Sequence, residues 1–132
     1  MTRFGHFTLT ALIGAFLAAA PASAEELNCL MSRGNVCFQT GCKNSSKTQR
    51  ITLDLTAGTA RFCPNRYNDN GCNSLSMTFK VTDTAITGVT LETPEISAQS
   101  AFVNRTTGAS VFTLVTSGGV AAVDFGTCEI PR

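Results

Sequence analysis

Residues 101–125 read AFVNRTTGASVFTLVTSGGVAAVDF, and this stretch decides the fold class. Segments rich in valine, phenylalanine and threonine are separated by Thr106-Thr107-Gly108 and Ser117-Gly118-Gly119. β-Branched and aromatic residues suit a pleated, half-buried surface, and glycine supplies the backbone angles of tight turns. Phe112 and Leu114 share one face of the middle segment. Ala121, Val123 and Phe125 share one face of the last. The pattern predicts an antiparallel meander over Ala101–Arg105, Ser110–Thr116 and Val120–Phe125, ended by Gly126-Thr127-Cys128.

The same period extends towards the N-terminus. In Gln49–Thr56, Ile51, Leu53 and Leu55 alternate with Thr52, Asp54 and Thr56, the signature of a half-buried strand. Ala57-Gly58 turns that strand into Thr59–Cys63. Met77, Phe79 and Val81 repeat the alternation in Ser74–Val81. In Thr84–Leu91 the phase of Ile86 differs from that of Val89 and Leu91, which predicts a bulge or turn at Gly88. A shorter strand is expected at Val36–Thr40. No segment carries a sustained helical stripe; the best helix candidate is the short EISAQSA at 95–101. The expected architecture is all-β, a small antiparallel sandwich or barrel of seven to eight strands, stapled by disulfides.

The cysteines supply the staples. All six, Cys29, Cys37, Cys42, Cys63, Cys72 and Cys128, follow an N-terminal segment with the three zones of an export signal. Arg3 and His6 precede the apolar run from Phe7 to Ala20, and Ala22-Ser23-Ala24 supplies a small-x-small cleavage pattern. The run is too short for a bilayer core of ~30 Å, so no membrane insertion is expected after cleavage. Residues 1–24 are therefore read as a signal peptide and 25–132 as a periplasmic or secreted β domain, expected to be a monomer. An even cysteine count in a short exported chain implies a disulfide framework. Cys63 and Cys72 enclose the turn-rich PNRYNDNG and are expected to pair. The rest can join as Cys29–Cys128 with Cys37–Cys42, or as Cys29–Cys37 with Cys42–Cys128. The Cys37-x4-Cys42 spacing is wide for a zinc ligand pair, and no Cys-x-x-Cys redox motif exists.

Composition then excludes functions. Removing 24 of the 132 residues leaves 108, without a histidine and with nine basic residues against nine acidic ones. There is no basic surplus for nucleic acid, and no histidine for a Ser-His-Asp or Cys-His arrangement. No phosphate-binding or dinucleotide loop is present. A carboxylate pair drawn from Asp54, Asp69, Asp83, Glu92, Glu95, Asp124 and Glu129 is the one catalytic arrangement left, and separated strand-face acids are the plainer reading. The expectation is a non-enzymatic protein without a cofactor or bound metal.

The best candidate binding surface is the loop between Cys63 and Cys72: Asn65, Arg66, Tyr67, Asn68 and Asp69. Tyrosine and arginine are favoured at binding hot spots, and a staple lowers the entropy lost on binding. The plainer alternative is a turn whose asparagines tolerate left-handed backbone angles. The Asx cluster lacks the acidic twelfth position of a calcium loop. Lys43, Lys47 and Arg50, around Asn44-Ser45-Ser46, read as a solvated basic loop, with a weak anionic-glycan contact as the functional alternative.

The order of features also resembles a known set of sequences. Three early cysteines, the ITLDL strand, Arg61-Phe62-Cys63, Gly71-Cys72 and the closing Phe125-Gly126-Thr127-Cys128 resemble small exported six-cysteine proteins of Gram-negative bacteria. The resemblance implies export, disulfides and a β fold; it carries no activity and no functional residues. In size and β character the chain is also similar to small periplasmic lysozyme inhibitors, at the level of fold alone. The resulting expectation is an exported domain that binds an envelope or extracellular protein or glycan. A structural envelope protein and a hydrolase inhibitor are its rivals.

Overall fold

A computed structural model describes residues 25–91 and 96–131. The export segment expected at 1–24 lies outside the described residues, as do Glu92 and Glu95. The described chain forms β1 (Glu26–Phe38), β2 (Gly41–Ser46), β3 (Arg50–Asp54), β4 (Thr59–Cys63), β5 (Asn73–Ser76), β6 (Thr78–Val81), β7 (Ala85–Leu91), β8 (Ile96–Asn104), β9 (Ala109–Thr116) and β10 (Ala121–Cys128). All pairings are antiparallel, in the order β5-β4-β3-β1-β10-β9-β8-β7-β6, with β2 added to β1. The two ends of this path, β5 and β6, are consecutive in the chain and separated only by Met77. The sheet is therefore a nearly closed barrel, with β5 and β6 as two halves of one stave. At the break, the Met77 amide donates to the Gly58 carbonyl at 2.8 Å, and the Thr90 hydroxyl donates to the Ser76 carbonyl.

The all-β expectation holds, but the strand count is ten rather than seven to eight. Two features account for the difference. The stave after Cys72 is interrupted at Met77, so it counts twice. The N-terminal strand is far longer than Val36–Thr40, and it pairs with β2 where the sequence predicts a basic loop. β1 runs for 13 residues; its first half pairs with β3 and its second half with β2, while β10 lies along its other edge. Its inward residues Leu27, Cys29 and Met31 are completely buried. Beyond Met31 the register shifts at a bulge, which turns Arg33 outwards and Gly34 inwards.

The core fills the barrel between those staves. Leu27, Met31, Ile51, Leu53, Ile86 and Val103 are fully buried. Each contributes ~1.5–3 kcal/mol relative to exposure. Phe62 and Phe112 meet edge to face inside the barrel, ring centroids 6.5 Å apart. Two further corrections concern this interior. Gly88 is neither a bulge nor a turn: β7 is regular, with Ile86, Gly88 and Thr90 inward and Val89 outward. A Cβ on Gly88 would lie 2.6 Å from the Met77 sulfur and 2.8 Å from the Phe79 ring, so the glycine makes room for both. EISAQSA is strand from Ile96 onward, because β7 and β9 pair with both edges of that segment.

The disulfides are Cys29–Cys128, Cys37–Cys42 and Cys63–Cys72, which removes the alternative of Cys29–Cys37 with Cys42–Cys128. Cys29 and Cys128 face each other across the β1–β10 pair, 99 residues apart in sequence. Cys37 and Cys42 face each other across the β1–β2 hairpin. Three disulfides are consistent with an oxidising, exported environment.

Two outcomes follow from this packing. Chain-entropy arithmetic gives the Cys29–Cys128 bridge roughly 4–5 kcal/mol and the five-residue Cys37–Cys42 bridge roughly 2 kcal/mol. Urea unfolding of the Cys29→Ala/Cys128→Ala and Cys37→Ala/Cys42→Ala variants should rank in that order. Gly126→Ala should cost ~1–3 kcal/mol in the same assay. Its methyl would fall 2.2 Å from the Leu30 carbonyl oxygen, and backbone cannot yield as a side chain can.

Candidate functional site

The loop after β4 is built to hold its shape. The Asn65 carboxamide accepts the Tyr67 amide at 2.8 Å, and that of Asn68 accepts the Asn70 amide at 3.0 Å. Both are the local Asx turns that asparagine favours. Asp69 reaches back to the barrel: Arg50 donates to its Oδ1, and the Arg61 Nη2 lies 3.6 Å from its Oδ2. The hydrogen bond from Arg50, and after it the charge of Arg61, hold the Asp69 carboxyl below its ordinary value. Arg50 also donates to the Cys63 sulfur at 3.5 Å, so the same guanidinium touches the staple and the loop acid. Arg66 donates to the Lys47 carbonyl at 3.5 Å, and its guanidinium carbon lies 6.0 Å from the centre of the Tyr67 ring.

These contacts divide the five expected site residues. Asn65, Asn68 and Asp69 are engaged within the loop and its anchor, which favours the plainer reading for those three. Arg66 is tied to the chain beneath it. Tyr67 is 83% exposed and stands free on this fixed base. The Cys63, Asp69 and Cys72 donor atoms converge within 4.8 Å, but the two sulfurs are bonded to each other and offer a metal no thiolate. Two open, mostly polar depressions flank the loop. One, of about 430 Å³, is lined by Asn28, Arg50, Thr52, Arg61 and Asp69 among others. The other, of about 370 Å³, includes Lys47, Phe62, Pro64 and Gly71.

The basic segment 43–50 is not a plain loop. Lys43 lies on β2, every residue of which is exposed. Lys47 turns inward, its ammonium 3.6 Å from Asp124 Oδ1, and Arg50 opens β3 and binds Asp69. Burial pushes the Asp124 carboxyl above its ordinary value, and Lys47 offsets part of that rise.

A second surface escaped the sequence reading. Directly opposed residues of an antiparallel pair point to the same face. The registers therefore put Ser46, Arg33 and Phe125 in one row across β2, β1 and β10, and Asn44, Asn35 and Val123 in the next. The Arg33 guanidinium carbon lies 5.0 Å from the centre of the Phe125 ring. An open groove of about 570 Å³ runs over this face. Among the described residues, Arg33, Asn35, Asn44 and Ser46 make no side-chain hydrogen bond, and Arg33 has no acidic partner. The one legible signal was the Val123–Phe125 alternation, whose apolar face proves to point outward here.

Comparison with protein-family models, curated proteins and solved structures finds no match.

The Asp69 anchor has a pH signature. A carboxyl held low in the folded state steadies the loop above its unfolded value of about 3.9, and that support is lost as pH falls through the lower folded value. Tyr67 fluorescence anisotropy should therefore fall on acidification below about pH 4. Asp69→Asn should show the lower anisotropy already at neutral pH and no such acid transition.

Proposed function

We propose that this chain is a non-enzymatic, exported binding module, acting in the periplasm or outside the cell on a protein or glycan partner. The observation that carries this reading is Tyr67, 83% exposed on a loop fixed by the Cys63–Cys72 bridge and by the Arg50–Asp69–Arg61 cluster. An ordered chain loses less entropy on binding than a mobile one. A tyrosine adds a large apolar ring with a polar tip at small conformational cost. Arg66, close behind the ring, adds a cation to the same surface. The disulfides support the exported setting.

The structural-protein reading draws on Asn65, Asn68 and Asp69, whose polar groups serve the loop itself. The two readings part at Tyr67. The oxidised protein, immobilised and exposed to an envelope extract, should retain a partner, and Tyr67→Ala should lower that retention at least about tenfold. Stability should move by less than about 0.5 kcal/mol, because the side chain is exposed. Equal retention by the wild-type and the Tyr67→Ala protein would leave the loop with a structural role alone.

A further inference from the structure

We infer that the outer face of β2, β1 and β10 is a second binding site, independent of the Tyr67 loop, and that it takes an acidic saccharide. Its residues are Arg33 and Phe125, with Ser46, Asn35 and Asn44 beside them.

The Arg33 guanidinium carbon lies 5.0 Å from the centre of the Phe125 ring, a cation–π contact that limits the freedom of the side chain. The N–H edge stays free, because no acid pairs with it among the described residues. A planar guanidinium with unpaired N–H groups suits two parallel hydrogen bonds to a carboxylate. The groove lining contains this one charge and no acidic residue, so an anion is the complementary ligand. Asp124 is no competitor, since it opposes inward-facing Gly34 and pairs with Lys47.

The next row decides what carries the carboxylate. Asn35 and Asn44 oppose each other across β1 and β2, about 7 Å further along the strands than Arg33 and Ser46. A carboxamide both donates and accepts, as does a sugar hydroxyl, so a paired row of carboxamides matches neighbouring hydroxyls. The flank of the face is apolar: Phe125, Val111 and Phe102 form one continuous row across β10, β9 and β8, with Phe102 45% exposed. A saccharide ring presents hydroxyls at its rim and C–H groups on its faces, so it can use both surfaces at once. An acidic peptide supplies the carboxylate but few neutral hydroxyls for the Asn35–Asn44 row.

The test is titration of the 15N-labelled, oxidised protein with a uronic acid trisaccharide, its carboxyl-reduced neutral counterpart and triglutamate. The trisaccharide should shift the amides of residues 33–35, 44–46 and 125, leaving residues 65–69 unmoved. The reduced sugar should bind at least about tenfold more weakly, the size of a charge-assisted hydrogen bond. Arg33→Gln should abolish that difference, and Asn35→Ala should weaken both sugars. Both variants change exposed or half-buried polar groups and should keep the wild-type spectrum elsewhere. An acidic trisaccharide that shifts none of these amides would overturn the inference. So would equal affinity for the reduced sugar, or triglutamate matching the trisaccharide. Tyr67→Ala should leave this titration unchanged, so failure here and failure at the loop are distinguishable.

Discussion

The seam between β1 and β10 is the constraint on which the rest of the barrel depends. It joins the two ends of the described chain through eight register pairs and the buried Cys29–Cys128 bridge. Everything between is one long excursion that leaves β1 through β2 and β3 and returns through β9 and β10. Closing so long a loop carries the largest chain-entropy cost in the molecule, and the bridge lowers it by restricting the unfolded chain. The close approach of Gly126 to the Leu30 carbonyl belongs to the same seam. With β1 so placed, its bulge after Met31 sets which side chains of the upper barrel face inward and which face solvent.

How much of each strand can be read in the sequence depends on how differently its two faces are composed. Where one face of a strand is core and the other solvent, alternation names both strand and face, as in Ile51 and Leu53 against Thr52 and Asp54. β4 was legible to the residue for the same reason. β10 gave the strand but not the direction of its apolar face. Ala121, Val123 and Phe125 lie on the outer rows, while Asp124, Gly126 and Cys128 lie on the inner side. A period of two is symmetric, so it cannot say which face is inside unless composition breaks the tie. At Gly88 the error was of the same kind. A missing side chain looked like a lost phase, when it was space for Met77 and Phe79.

The sites divide in a similar way. Local composition marked the loop at 63–72, because a turn-rich segment between two cysteines is contiguous in the chain. It could not show that Asp69 would be claimed by Arg50 and Arg61, since those arginines arrive from β3 and β4 through tertiary pairing. The outer face of β2, β1 and β10 is legible only in the Val123–Phe125 alternation, for a stronger reason. Arg33 and Phe125 are far apart in sequence and meet only through the β1–β10 register.

The pairing of charges separates the cations that the fold uses from those it leaves without an acid partner among the described residues. Arg50 and Arg61 face Asp69, Lys47 faces Asp124, and Arg105 faces Glu25 at 3.5 Å. Each of these cations ties one segment of the barrel to another. Lys43 and Lys80 stand on exposed strand positions, where a flexible ammonium is solvated and loses rotamer freedom when it is bound. Arg33 belongs to neither group. It has no acid partner among the described residues, yet the Phe125 ring already limits its freedom. Tyr67 stands in the corresponding position on the loop, exposed while its support is fixed. In both places the ordering cost falls on folding rather than on binding, which is the condition under which an exposed group gains affinity instead of mere solubility. A barrel held closed by its staples can keep such groups outward without relying on them for its core.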